Sequence, residues 1–90
     1  MTDLYIQKDR VTAAAMLCSS DWNDEEKWVI RWKLGWLSEF EMALATAIDC
    51  ADDPQISRLE ESFPIQVGGF KSWSRGHLRT RLRAAGLTSI

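Results

Sequence analysis

The strongest pattern in this sequence is a continuous apolar periodicity between Asn23 and Cys50. Apolar residues recur there every three or four positions, as they do on the buried side of a helix. They fall on two adjoining faces, formed by Ile30, Leu34, Leu37, Leu44 and Ile48, and by Trp32, Trp36, Phe40, Ala43 and Ala47. Together these faces cover about half of the circumference, so the helix needs two neighbours, or one neighbour and a binding partner. We therefore expect a long central helix, with a kink or close crossing at Gly35.

The length of the chain limits it to one small domain. Ninety residues, 46% of them hydrophobic and 27% charged, are typical of a single globular domain and exclude a multidomain enzyme, a disordered tail and a collagenous chain. No leader pattern and no apolar stretch of membrane-spanning length occurs in the sequence. We expect a cytoplasmic protein without a membrane partner.

Helix formers and capping residues predict the N-terminal half. Residues 13–17 favour a helix from about Asp9 to Cys18, and an extension back to Thr2 stays open. Its apolar positions at i, i+3, i+4 and i+7 are Val11, Ala14, Ala15 and Cys18. Asn23 and Glu26 have the spacing of a capping box, which starts the central helix.

Two further helices follow the central one. Asp53 and Pro54 are typical of a helix start, and Pro64 closes this short helix, whose apolar positions are Ile56, Leu59 and Phe63. For Ile65–Lys71, which contains two adjacent glycines, we expect an irregular loop or, alternatively, a short hairpin. The last helix runs from Ser72 or Ser74 to Ala85, and Gly86 with Leu87 predicts a Schellman ending. The fold class is all-α, with about four helices packed around the central one.

The formal net charge of −2 conceals an asymmetric chain. Residues 1–63, the acidic body, carry 13 acidic and six basic side chains, a balance of −7; residues 64–90, the basic segment, carry five basic side chains and no acidic one, a balance of +5. Such asymmetry indicates an interaction with something charged. The candidate polyanion-binding residues are Lys71, Arg75, His77, Arg79, Arg81 and Arg83.

The spacing of three of these arginines calls for a compensating charge. Arg75, Arg79 and Arg83 stand at i, i+4 and i+8, where like charges destabilise an isolated helix by a few tenths of a kcal/mol each. Two sources of negative charge stay open: an external polyanion, or the chain's own acidic residues Asp49, Asp52, Asp53, Glu60 and Glu61. The usual helix-turn-helix is not expected, because about eight residues separate the last two predicted helices.

A row of tryptophans is the second candidate site. Trp28, Trp32 and Trp36 stand at i, i+4 and i+8 and form a slanting ridge, which either lies in the core or binds a partner. Tryptophan is enriched at binding hot spots, so we name all three as candidate partner-binding residues. Glu39 and Glu41 lie nearby and would repel phosphate, which disfavours nucleic acid on this ridge.

Catalytic and metal-binding motifs are missing from the sequence. His77 is the only histidine and lies among arginines, with no nucleophile motif beside it. Cys18 and Cys50 lack the spacing of a zinc site, and we interpret them as reduced core residues. We therefore expect no enzyme activity, no catalytic residue, no metal and no cofactor.

Three functions follow as hypotheses. The leading one is a non-enzymatic protein-binding module that docks on a larger cytoplasmic assembly and modulates or inhibits it, as small phage or mobile-element accessory proteins do. The alternative is a nucleic-acid-binding protein that uses the arginine-rich C-terminal helix. The second alternative is a self-assembling structural protein, which would form a homo-oligomer.

Overall fold

Six helices make up the part of the chain that the structure describes. The computed structural model describes the backbone of residues 2–90 and the side chains of residues 8–90. The helices are α1 (Thr2–Cys18), α2 (Asp24–Lys33), α3 (Glu39–Cys50), α4 (Asp53–Ser62), α5 (Pro64–Ser74) and α6 (His77–Ala84). The all-α prediction is confirmed, whereas the predicted count of about four helices is too low. No strand occurs within residues 2–90.

The predicted long central helix is wrong, because the chain breaks it into α2 and α3. Gly35 adopts a φ of +73°, and the N–H of Trp36 donates to the carbonyl of Arg31 at 2.7 Å. This is the hydrogen bond of a Schellman ending, which needs the left-handed conformation that glycine adopts readily. Ser38 then caps α3. The apolar pattern hides the break, since Trp36 and Leu37 in the connection also pack on the core.

The predicted loop or hairpin over Ile65–Lys71 is also wrong, since these residues form most of α5. The first position of α5 is Pro64, whose missing N–H would have no helical partner there. The two glycines serve close packing instead of a turn. A Cβ on Gly69 would lie 2.9 Å from the carbonyl oxygen of Glu25 and 3.0 Å from a ring carbon of Trp28. Glycine therefore lets the backbone of α5 approach α2, its main neighbour.

The hydrophobic core has two parts. The larger part joins α1, α2, α3, α6 and the C-terminal tail, and its buried residues are Ala13, Met16, Trp28, Val29, Ile30, Ala45, Leu78, Leu82 and Leu87. The smaller part joins α3 and α5 under a cover of α4 side chains, and its buried residues are Leu44, Ile48 and Val67. Full burial of a valine, leucine or isoleucine side chain stabilises a fold by about 1.5–3 kcal/mol.

Helix α1 buries a different face from the one predicted. From residue 8 onward its buried residues are Asp9, Ala13 and Met16. The predicted stripe is exposed instead, from Val11 through Ala14 and Ala15 to Cys18. Cys50 is exposed as well, so the interpretation of both cysteines as core residues is wrong. In an alanine-rich helix the apolar pattern alone does not fix which face turns inward.

Hydrogen bonds to Asp9 fix the rotation of α1. Its buried carboxylate accepts from the backbone N–H of Ser89 at 2.8 Å and of Thr88 at 3.3 Å, both in the C-terminal tail. Burial raises the pKa of Asp9, but these hydrogen bonds outweigh it and hold the pKa below its usual value. The ionised carboxylate thus joins α1 to the residues that follow α6.

Two predicted helix ends are confirmed. The side chain of Asn23 accepts from the backbone N–H of Glu26 at 2.8 Å, and the Glu26 carboxylate accepts from the backbone N–H of Asn23 at 2.9 Å, which completes the capping box of α2. At the end of α6, the N–H of Leu87 donates to the carbonyl of Leu82 at 3.0 Å. Both leucines are fully buried, which agrees with the hydrophobic pair that often accompanies a Schellman ending.

The α2–α5 contact predicts unequal effects on stability for alanine at the two adjacent glycines. Gly69→Ala places a methyl group against the backbone of α2, and we expect a loss of about 1–3 kcal/mol in the free energy of unfolding. At Gly68 the three atoms nearest to an added Cβ all belong to the carboxylate of Glu25, which ends a flexible side chain and can move. We expect the control Gly68→Ala to be neutral or to stabilise by up to ~1 kcal/mol, because alanine favours the helix. Urea unfolding measures both, and equal effects would contradict the close crossing.

Candidate functional site

The three tryptophans of the predicted ridge differ in burial. Trp28 is completely buried, and its indole N–H donates to the carboxylate of Glu41 at 2.9 Å. Trp28 therefore belongs to the core, which was the other interpretation of the ridge. Trp32 and Trp36 are half-buried and pack against that core. A partner-binding role for these two side chains stays a prediction.

Trp32 belongs to an aromatic cluster that it shares with α5. Its ring is stacked on Phe70 with the centroids 5.6 Å apart, and it meets the edge of Trp73 at 6.4 Å. Phe70 and Trp73 stand three positions apart and therefore share one face of α5. The close approach of α5 to α2 places this face against the end of α2.

A cleft of about 670 Å³ opens beside these three rings. Its walls come from the C-terminal end of α2, from α3, from α5 and from the start of α6. On α3 the lining residues include Met42, Ala45 and Asp49. The volume is in the range of ligand pockets, about 300–1,000 Å³. The cleft can therefore take a small ligand or one or two side chains of a partner.

Two cations also line the cleft. The Nζ atom of Lys33 lies 3.7 Å from the ring centroid of Trp32 and 4.3 Å from that of Trp73. The guanidinium carbon of Arg79 lies 6.0 Å from the ring of Trp73. Burial and the nearby Arg79 lower the pKa of Lys33, and Asp49 opposes that shift. Among the described side chains neither cation forms an ion pair, so the cleft holds two positive charges and one negative charge.

The acidic body neutralises part of the basic segment. Lys71 forms an ion pair with Glu60 at 3.1 Å, and Arg81 pairs with the buried carboxylate of Glu26. The same carboxylate caps α2, and the guanidinium of Arg81 lies over the ring of Trp22 at 5.1 Å. Arg81 thus holds α6 against α2. Of the acidic residues considered above as a source of compensating charge, Glu60 forms one of these pairs, but neither Lys71 nor Arg81 belongs to the arginine row that needs that charge.

The remaining candidates are exposed and have no ion-pair partner among residues 8–90. They are Arg75, Arg79 and Arg83. The three arginines do not share one helix, because α5 ends before Arg75 and α6 begins after Gly76. His77, the first residue of α6, is exposed too. Of this set only Arg79 lines the aromatic cleft.

The sequence pattern missed Lys33, Phe70 and Trp73, and it indicated Asp49 only as one source of compensating charge for the arginines. A lysine next to a tryptophan is common on a helix surface, and nothing in the sequence shows that its ammonium lies over two indoles. The spacing of Phe70 and Trp73 was a usable signal, since i and i+3 share a helix face. The prediction of a loop for residues 65–71 hid this signal, because a loop has no helix face.

Comparisons with known proteins add no functional assignment. No protein-family model matches this chain, and no curated protein and no solved structure is significantly similar to it. Within the described residues, no helix has the length and apolar character needed to cross a membrane. No three His, Cys, Asp or Glu side chains in that part of the chain come together as metal ligands.

The placement of the tryptophans predicts unequal effects of alanine substitution. Trp28→Ala empties the core and should cost about 3–5 kcal/mol, which is comparable with the whole stability of so small a domain. Trp32→Ala and Trp36→Ala remove half-buried rings, and we expect smaller losses of about 1–2 kcal/mol with the fold retained. Trp28→Phe serves as the control that keeps an aromatic core residue. Thermal unfolding followed by circular dichroism compares the four variants, and unfolding of all three alanine variants would place the whole ridge in the core.

Proposed function

We propose that this protein is a non-enzymatic binding module that docks a protein partner through the aromatic cleft and the arginine beside it. The observation that carries the proposal is the cleft itself, in which Trp32, Phe70 and Trp73 adjoin Lys33 and Arg79, two cations that form no ion pair with residues 8–90. Aromatic residues and arginine are enriched in the cores of protein interfaces. By occupying a surface of a larger cytoplasmic assembly, such a module would modulate or inhibit it.

The rim of the cleft supports a protein partner. Met42 on the α3 wall is an apolar side chain that is 41% exposed. An exposed apolar side chain beside a cationic cleft fits a protein surface that combines apolar and acidic residues. Asp49 in the wall would repel the closely spaced phosphates of a nucleic acid.

Nucleic-acid binding is the second candidate, favoured by one observation. Helices α5 and α6 are joined by only two residues, Arg75 and Gly76, so the long connection that disfavoured a helix-turn-helix does not exist. Helix α6 exposes His77, Arg79 and Arg83. The candidate ranks second because this connection is shorter than the three or four residues of the usual motif.

Paired charge reversals test the proposal. The tagged protein, its Arg79→Glu variant and its Arg58→Glu variant are used to capture partners from native cell lysate, half of which is treated with nuclease. Arg58 is an exposed arginine on α4 outside the cleft and provides the matched control. We expect the same proteins on wild type and Arg58→Glu, about tenfold less on Arg79→Glu, and no effect of nuclease.

Two outcomes would contradict docking through the cleft. Equal capture by the two variants would mean that the partner binds elsewhere. Capture that nuclease abolishes would support the nucleic-acid candidate instead, and its affinity should then fall steeply with salt.

A further inference from the structure

The charges in the aromatic cleft restrict what can bind there. A group of aromatic rings is a common site for a cationic ligand, because the ring faces attract positive charge. Here that position is already filled, since the ammonium of Lys33 lies over both Trp32 and Trp73. Arg79 adds a second positive charge at the rim. A cationic ligand would therefore be repelled, and an anion would be attracted.

The net charge of the cleft favours a carboxylate as the bound anion. The cleft contains Lys33, Arg79 and Asp49, which leaves one positive charge uncompensated. A single carboxylate would neutralise it, whereas a phosphate dianion would add a negative charge in excess next to Asp49. Partial burial of Lys33 strengthens its attraction for an anion, because charges removed from water interact more strongly.

The apolar walls of the cleft determine which group of the ligand can lie beside its anionic group. Phe70 and Trp32 are stacked on each other, and Met42 and Ala45 face them from α3. Flat apolar groups pack well on such a surface, and aromatic pairs gain about 0.5–1.5 kcal/mol beyond the burial of their area. The surface therefore suits an aromatic ring close to the anionic group.

We propose that the cleft binds a segment of the protein partner that presents a carboxylate next to an aromatic side chain. The carboxylate lies between Lys33 and Arg79, and the ring packs on Phe70 and Met42. This inference rests on the proposed function and names the chemistry of the partner segment. The capture experiment tests docking of the whole partner beside Arg79 and does not require an aromatic side chain on the partner, so failure of the phenylacetate test leaves that result standing.

Titration with small probes tests the inference. Phenylacetate carries a ring and a carboxylate, phenylacetamide is its uncharged counterpart, and inorganic phosphate is an anion without a ring. The readout is the indole N–H resonances of Trp32 and Trp73 in heteronuclear NMR, assigned with Trp→Phe variants. We expect phenylacetate to shift both resonances with millimolar affinity, and phenylacetamide to bind at least about tenfold more weakly. Phosphate, which lacks a ring, should bind at least about tenfold more weakly than phenylacetate.

Protein variants locate the bound carboxylate. Arg79→Gln and Lys33→Met should each weaken phenylacetate binding about fivefold to tenfold. Arg83→Gln removes an equal charge from the same helix outside the cleft and should bind as wild type does. Since Arg79 is exposed, its variant keeps the fold even if Lys33→Met does not.

The inference is overturned by any of four results. The first is that neither indole resonance shifts at a phenylacetate concentration on the order of 20 mM, twenty times the expected dissociation constant. The second and third are that phenylacetamide or phosphate binds as tightly as phenylacetate. The fourth is that Arg79→Gln binds phenylacetate as tightly as wild type.

Discussion

The close crossing of α2 and α5 is the contact on which the rest of the structure depends. It requires a residue without a side chain at Gly69, because any Cβ would press on the backbone of Glu25 and the ring of Trp28. With the two backbones this close, Trp28 and Val29 become fully buried. Tight packing of this kind leaves little room for change, since protein interiors are as dense as organic crystals.

The same crossing builds the aromatic cleft. It sets Phe70 and Trp73 of α5 beside Trp32 near the end of α2, and Lys33 then extends over the two indoles. The short connection after α5 brings Arg79 of α6 to the rim. The contact between α2 and α5 thus determines the shape of the cleft and the position of its charges, on which the proposed function rests.

Local signals in the sequence predicted helix ends well and helix packing poorly. The capping box at Asn23 and the Schellman ending at Gly86 depend on neighbouring residues only, and both are present. The helical state of Gly68 and Gly69 depends on α2, which lies some forty positions earlier, so the sequence pattern favoured a loop. The break at Gly35 did carry a local signal, but the apolar residues on both sides obscured it. Of the cleft residues, Trp32 and Arg79 were predicted by spacing, whereas Lys33 depends on tertiary contacts.

Native-state amide hydrogen exchange tests the central role of the α2–α5 crossing most directly. If this contact holds the domain together, the slowest-exchanging amides of α2 and α5 should open together, with a free energy equal to that of global unfolding. Amides of α4, which has no buried residue, should exchange through smaller openings. Exchange of the α5 amides about tenfold faster than those of α2, through a separate opening, would show that the core of α2 persists without α5 and would contradict this view.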